Sequence, residues 1–111
     1  MSDESTIEKI KKLEGKKKSA GIIKLLDGKH SDAEVMCAAL EALSNIGDED
    51  SVNHITHFLD HPDSKVRIAA CKAGVKIGTE YMKTRVRYQL SVEQDPQTKA
   101  AIQEAFNEKY A

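Results

Sequence analysis

Apolar and small residues recur along this chain with the period of an α-helix. In segment 35–47, VMCAALEALSNIG, and again in 66–78, VRIAACKAGVKIG, they fall at i, i+3, i+4, i+7 and i+11, one face of a helix. Between and beyond these segments the same period continues. Residues 50–60 offer Val52, Ile55, Phe58 and Leu59 to a core, and residues 79–92 offer Tyr81, Met82, Val86, Leu90 and Val92. Upstream, 17–27 offers Ile22, Ile23, Leu25 and Leu26, and 5–14 offers Ile7, Ile10 and Leu13. The pattern predicts helices near 5–14, 17–27, 31–45, 50–60, 64–77, 79–92 and 96–109, and no strand.

Local punctuation marks the ends. Ser5-Thr-Ile-Glu8 and Ser31-Asp-Ala-Glu34 have the form of capping boxes. Asp63 follows Pro62 in cap position, and Asp95-Pro96 puts a carboxylate at the cap and proline at the first helical position. Gly47 and Gly78 stand where helices should close.

The two best segments are copies of each other at a shift of 31, which aligns Val35/Val66, Ala38/Ala69, Ala39/Ala70, Ala42/Ala73, Ile46/Ile77 and Gly47/Gly78. A weaker third copy, TKAAIQEAF at 98–106, aligns at a shift of 32 and lacks the closing Ile-Gly. Such a loss suits a terminal repeat, which has no successor to cover it. Residues 63–78 (DSKVRIAACKAGVKIG) and 32–48 (DAEVMCAALEALSNIGD) resemble the HEAT-like repeats of the bilin-lyase type, with their D-x-x-V-R-x-A-A-x-x-A-L-x-x-I-G-D motif. They depart from it at Met36, where arginine is usual, and at Gly74, where leucine is usual. The resemblance spans roughly 17–109. It implies an all-α fold, a short α-solenoid of antiparallel helix pairs. The expected organisation is an N-terminal capping helix over 1–16 and three repeats over 17–111 forming one domain. The resemblance also implies a structural role for Arg67, the motif's ladder arginine, pairing with an aspartate of a neighbouring repeat such as Asp48 or Asp32.

Composition adds to this picture mainly through charge. The net charge is −1, with no tryptophan and 5% aromatic residues, so no global field draws the chain to nucleic acid or membrane. The distribution is uneven. Residues 1–29 carry eight lysines and five acids, residues 30–61 carry seven acids and no lysine or arginine, and residues 62–111 carry nine cations and six acids. Acidic and basic repeats of this kind can pair within a fold or between molecules. No uncharged stretch is long enough to span a bilayer, and the opening MSDESTIEK lacks the apolar core of a secretory signal. Two cysteines 34 positions apart in helical patterns suggest free thiols and a cytoplasmic setting.

Catalytic chemistry is not legible. A glycine-rich phosphate loop, G-x-S-x-G, H-E-x-x-H and C-x-x-C are all missing from the sequence. His54, His57 and His61 share a helical sector opposite Ile55 and Leu59, which makes His54 and His57 weak metal candidates. No aspartate or cysteine completes a tetrahedron, so neither metal nor cofactor is expected. Cys37 and Cys71 lack an evident base and read as buried or groove-lining structural residues.

The family resemblance implies a non-catalytic scaffold that binds a protein or peptide along its concave face. A nucleic-acid-binding or bilin-lyase-like accessory protein is the alternative, and a monomer or weak homo-oligomer the expected state. With Val66 as the centre of the buried face, the opposite sector of the same helix holds Ile68, Cys71, Lys72 and Val75. Its equivalents are Cys37, Leu40, Glu41 and Ser44 one repeat earlier, and Ala100, Gln103, Glu104 and Asn107 one repeat later. Leu40, Ile68 and Val75 are expected there as an exposed apolar strip beside a charged row of Glu41, Lys72 and Glu104. A basic edge of Lys65, Arg67, Lys83, Arg85 and Arg87 is the alternative site, suited to phosphates.

Overall fold

The computed structural model describes residues 3–28 and 31–110. Residues 1–2, 29–30 and 111, which fall within the expected domain bounds and charge blocks, lie outside the described residues. The described residues form seven helices and no strand: α1 (Asp3–Gly15), α2 (Ser19–Leu26), α3 (Ala33–Ile46), α4 (Glu49–His57), α5 (Ser64–Ile77), α6 (Glu80–Val92) and α7 (Pro96–Tyr110). Every helix predicted from the periodicity is present.

Most helix starts are fixed by one acidic or hydroxyl side chain that takes up an orphan amide. Asp32 accepts from the Val35 amide at 2.9 Å, Asp48 from Ser51 at 2.9 Å, Asp63 from Lys65 at 2.8 Å, Thr79 from Met82 at 3.2 Å and Asp95 from Thr98 at 3.1 Å. The cap of α3 is therefore Asp32 and not Ser31, as the capping-box reading had it. Ser5 is not the cap of α1 either, because α1 is already helical at Asp3. Gly47 and Gly78 end α3 and α5 in the left-handed region, at φ 67° and 72°, where a side chain would be strained.

The helices form two layers. The odd helices α1, α3, α5 and α7 lie side by side in sequence order, and the even helices α2, α4 and α6 cover them from one side. Alanine makes the odd layer tight: Ala39, Ala42, Ala70 and Ala73 are all at most 3% exposed, so α3 and α5 approach closely. The even helices pack less closely on one another than the odd helices do, and the side of the odd layer away from them, its inner face, is left uncovered. One core runs between the layers through Ile10, Ile22, Leu43, Ile55, Val66, Met82, Val86 and Ile102, each no more than 1% exposed.

The departure from the repeat motif at Gly74 has a packing cause. Leu43 is its equivalent in α3 and is fully buried. At Gly74 a Cβ would lie 3.0 Å from Met82 Cε and 3.1 Å from Val86 Cγ2, so α6 fills the volume a leucine would take.

Polar bonds tie repeat to repeat. The Ser19 hydroxyl donates to Asp48 at 2.6 Å and Asp27 pairs with His54 at 2.9 Å, both joining α2 to α4. Arg67 binds Glu93 through two parallel bonds of 2.9 and 3.0 Å, and its remaining nitrogen donates to the His61 and Pro62 carbonyls. The structural role expected of Arg67 holds, but its partner is Glu93 at the end of α6, not Asp48 or Asp32. Asp48 and Asp32 serve as helix caps instead. At the far end, Tyr110 and Lys109 of α7 donate to the Val75 and Lys76 carbonyls and satisfy the open C-terminus of α5.

Candidate binding groove

The odd helices expose a different stripe from the one the sequence predicts. Leu40 and Cys71 are fully buried, Val75 is 5% exposed and Ser44 7% exposed, while Ile68 is half-buried. Glu41, Lys72, Gln103 and Glu104 are exposed as expected. Of the apolar strip expected at Leu40, Ile68 and Val75, Leu40 is core, Ile68 is half-buried, and Val75 shows only a narrow edge, which lines a groove beside α7. The cause is the number of neighbours: α5 is flanked by α3 and α7 and backed by α4 and α6, so its buried arc covers most of the circumference. The open sector is centred nearer to Lys72 and Lys76 than to Val75.

What remains open is a charged relief with small side chains between. On α3 the exposed stripe is Glu34, Glu41 and Asn45, and on α5 it is Lys65, Lys72 and Lys76. Each pair is related by the 31-residue shift: Glu34 and Glu41 are opposite in charge to Lys65 and Lys72, and Asn45 is the neutral counterpart of Lys76. Shifted again by 32, Lys72 and Lys76 correspond to Glu104 and Glu108 of α7, also exposed. The inner face thus alternates: acidic α3, basic α5, acidic α7. Among the described residues, Glu34, Glu41, Lys65, Lys72, Glu104 and Glu108 enter no ion pair.

A groove of about 600 Å³ runs between the first two stripes. Its floor is Cys37, Ala38, Ala69 and Ala73, with Ser44, expected in the groove, also in its lining; its walls are Glu34 and Glu41 on one side and Lys72 and Lys76 on the other, and Ile7 of α1 lines it too. A second groove of about 430 Å³ between α5 and α7 shares Lys72 and Lys76 and adds Val75, one of the residues expected there, with Ala105, Glu108 and Lys109. One end of the first groove is closed by a ladder: the Asn45 amide donates to Glu14 at 3.1 Å and Lys76 donates to Asn45. Glu14, Asn45 and Lys76 are 31 residues apart in turn; the repeat alignment contained the Asn45/Lys76 step, and the step back to Glu14 in the capping helix lay outside it.

The two thiols differ. Burial pushes the Cys71 thiol up to about 12, with the Glu93 charge adding to the rise and Arg67 opposing it. Cys37 is half-buried at the groove floor, its thiol 3.5 Å from the Lys65 carbonyl. Burial raises its pKa first, Asp63 adds to that, and Lys65 works against it. Both shifts disfavour the thiolate, the form a nucleophile needs.

The alternative basic edge is divided among internal partners. Arg67 is held by Glu93. Lys83 lies 4.5 Å over the Tyr110 ring and Arg87 5.2 Å over Phe106, two cation–π contacts that close α6 on α7. Lys65 and Arg85 remain exposed, but on different helices. Of the metal candidates, His54 is turned onto Asp27, and its ring stands 6.1 Å from that of His57. His61 follows the end of α4 and stacks on Phe58. Among the described residues no group of three or more His, Cys, Asp and Glu could hold a metal ion. No helix among them is long and apolar enough to cross a membrane.

A family model described as HEAT repeats matches residues 19–107, which are α2 to most of α7. The chain belongs to the HEAT-repeat family. The matched span begins at the first residue of α2 and ends within α7, leaving α1 outside it. HEAT repeats commonly mediate protein–protein interaction, and their fold is typically a non-catalytic scaffold. Neither a curated protein nor a solved structure matches the chain.

Proposed function

We propose that this HEAT-repeat protein is a non-catalytic binding module that holds an extended peptide segment of a partner protein along its inner face, in the groove between α3 and α5. The observation that carries this reading is the unpaired charge of the walls: Glu34 and Glu41 face Lys72 across a floor of alanine and cysteine, and none of the three has an ion-pair partner. Charged side chains left open around a shallow apolar floor favour a ligand that brings its own charges and small apolar groups. The fitting segment carries a lysine or arginine toward α3 and an aspartate or glutamate toward α5. Its small side chains rest on Ala38, Ala69 and Ala73. Occupation of three of the five basic-edge cations by Glu93, Tyr110 and Phe106 supports the groove over that edge.

The test is selection from a displayed peptide library, followed by mapping of the selected peptide by amide chemical shifts. Mixed-charge peptides are expected, with shifts centred on Cys37, Ala38, Ala69 and Ala73. Affinity should fall when Glu41→Lys is introduced and return when the peptide's charges are reversed to match. Shifts clustered on α6 at Lys83, Arg85 and Arg87, with none at the groove floor, would refute the reading.

A further inference from the structure

Among the described residues, the large apolar side chains most open to solvent are Tyr81, Tyr88 and Val92, at 55, 63 and 41% exposure, and all three belong to α6. Periodicity placed Tyr81 and Val92 in the core, yet only Met82, Val86 and Leu90 of that helix are buried apolar side chains. With Arg85, the exposed three stand at i, i+4, i+7 and i+11, a single stripe along the helix. Tyrosine and arginine are the side chains that interfaces favour, because they bring large contact area and hydrogen bonds at little entropic cost. Lys83 and Arg87 lie against the rings of α7, so Arg85 is the cation that the stripe presents.

The complement of this stripe lies in the same layer. α4 exposes Glu49, Asp50, Asn53 and His57, and the stretch 30–61 around it contains no lysine or arginine. We infer that the α6 stripe docks on α4 of a second copy of this chain, forming a two-fold pair through the outer, even-helix layer. A two-fold axis running along the helices between α4 and α6 sets each α6 against the other copy's α4. Both contacts are then identical, and each matches a tyrosine–arginine stripe to an acidic one. This interface is separate from the inner groove, which stays open in the pair. Two helices of this length offer about 400 Å² from each copy, half the area of a standard interface. The pair is therefore weak and concentration-dependent.

Sedimentation equilibrium of the full chain under reducing conditions, from micromolar to millimolar concentration, tests this. Arg85→Glu and Asp50→Lys replace exposed residues, so circular dichroism of each variant should match that of the parent; Asp50→Lys, in the first turn of α4, should lower the melting temperature slightly without unfolding the protein at the assay temperature. The parent protein is expected to self-associate, less so as salt is raised. Each variant alone should associate about tenfold more weakly, since reversal turns two attractive contacts per pair into repulsive ones. An equimolar mixture of the two variants should regain the parent's association, because every contact in the mixed pair is again between opposite charges. A parent that stays monomeric throughout, variants that associate as well as the parent, or a mixture no stronger than its components would each overturn the proposal. A single-stranded oligonucleotide is titrated in parallel. If it binds the parent, is lost with Arg85→Glu, and no self-association is seen, the stripe serves nucleic acid and the second copy is excluded.

Discussion

Gly78→Ala should destabilise the protein by about 2 kcal/mol, and Gly47→Ala, at the equivalent position one repeat earlier, by about 1 kcal/mol. Both glycines adopt positive φ, 72° and 67°. An alanine forced there costs about 1–2 kcal/mol, offset by about 0.4–1 kcal/mol from stiffening the unfolded chain. The two sites differ in what a new methyl would meet. At Gly47 the nearest atoms are 3.7 and 3.8 Å away, ordinary contact. At Gly78 the Tyr110 hydroxyl lies 2.9 Å from the new carbon. That hydroxyl donates to the Val75 carbonyl, so pushing it aside forfeits a hydrogen bond worth about 1 kcal/mol and loosens the end of α7. A double-mutant cycle isolates this term. Tyr110→Phe removes the hydroxyl, and in that background Gly78→Ala should cost only about as much as Gly47→Ala, a coupling of about 1 kcal/mol. Urea unfolding followed by far-UV circular dichroism measures all four proteins. Equal costs at the two glycines, or strict additivity with Tyr110→Phe, would mean that α7 does not seat on α5 as described.

Three further outcomes follow from the same structure. A disulfide reagent should titrate one thiol in the native protein, Cys37, slowly at neutral pH and faster as pH rises, and two after denaturation; rapid reaction of both would contradict the burial of Cys71. Burial by itself would raise the Glu93 carboxyl, but hydrogen bonds from Arg67, the Asp95 amide and Gln89 outweigh it and hold its pKa below the ordinary value of 4.5. Its contribution to stability is therefore complete above that value and is lost as pH falls through the lowered pKa. Asp48, bonded by Ser19 and Ser51, and Asp95, bonded by Thr98, behave alike below 3.8, so unfolding midpoints measured against pH should drop in acid and drop less in Glu93→Gln. Ala70→Leu should cost about 1–3 kcal/mol by overpacking the α3–α5 seam, where Ala70 is fully buried, and an unchanged melting temperature would place that face in solvent.

The element list, the caps at Asp63 and Asp95, the closing glycines and the repeat were all legible in the sequence. Each depends on residues within a few positions of one another, or on a spacing that recurs whole. Neighbours decided the rest. Periodicity finds the centre of a helix's buried face but not the width of its buried arc. An odd helix with partners on both flanks and at its back buries Leu40, Cys71 and Val75 along with Val66. An even helix with fewer partners leaves Tyr81 and Val92 outside although they sit among core residues in the chain. The same holds for polar groups. That Arg67 has a structural role could be read from the motif, whereas its partner, 26 residues further on at the end of α6, depends on where that helix stops. Glu41 of α3 and its equivalent Lys72 of α5 carry opposite charge in the sequence itself. That they face each other across an open groove is a consequence of how closely alanine lets the two helices lie, and only the tertiary structure sets that distance.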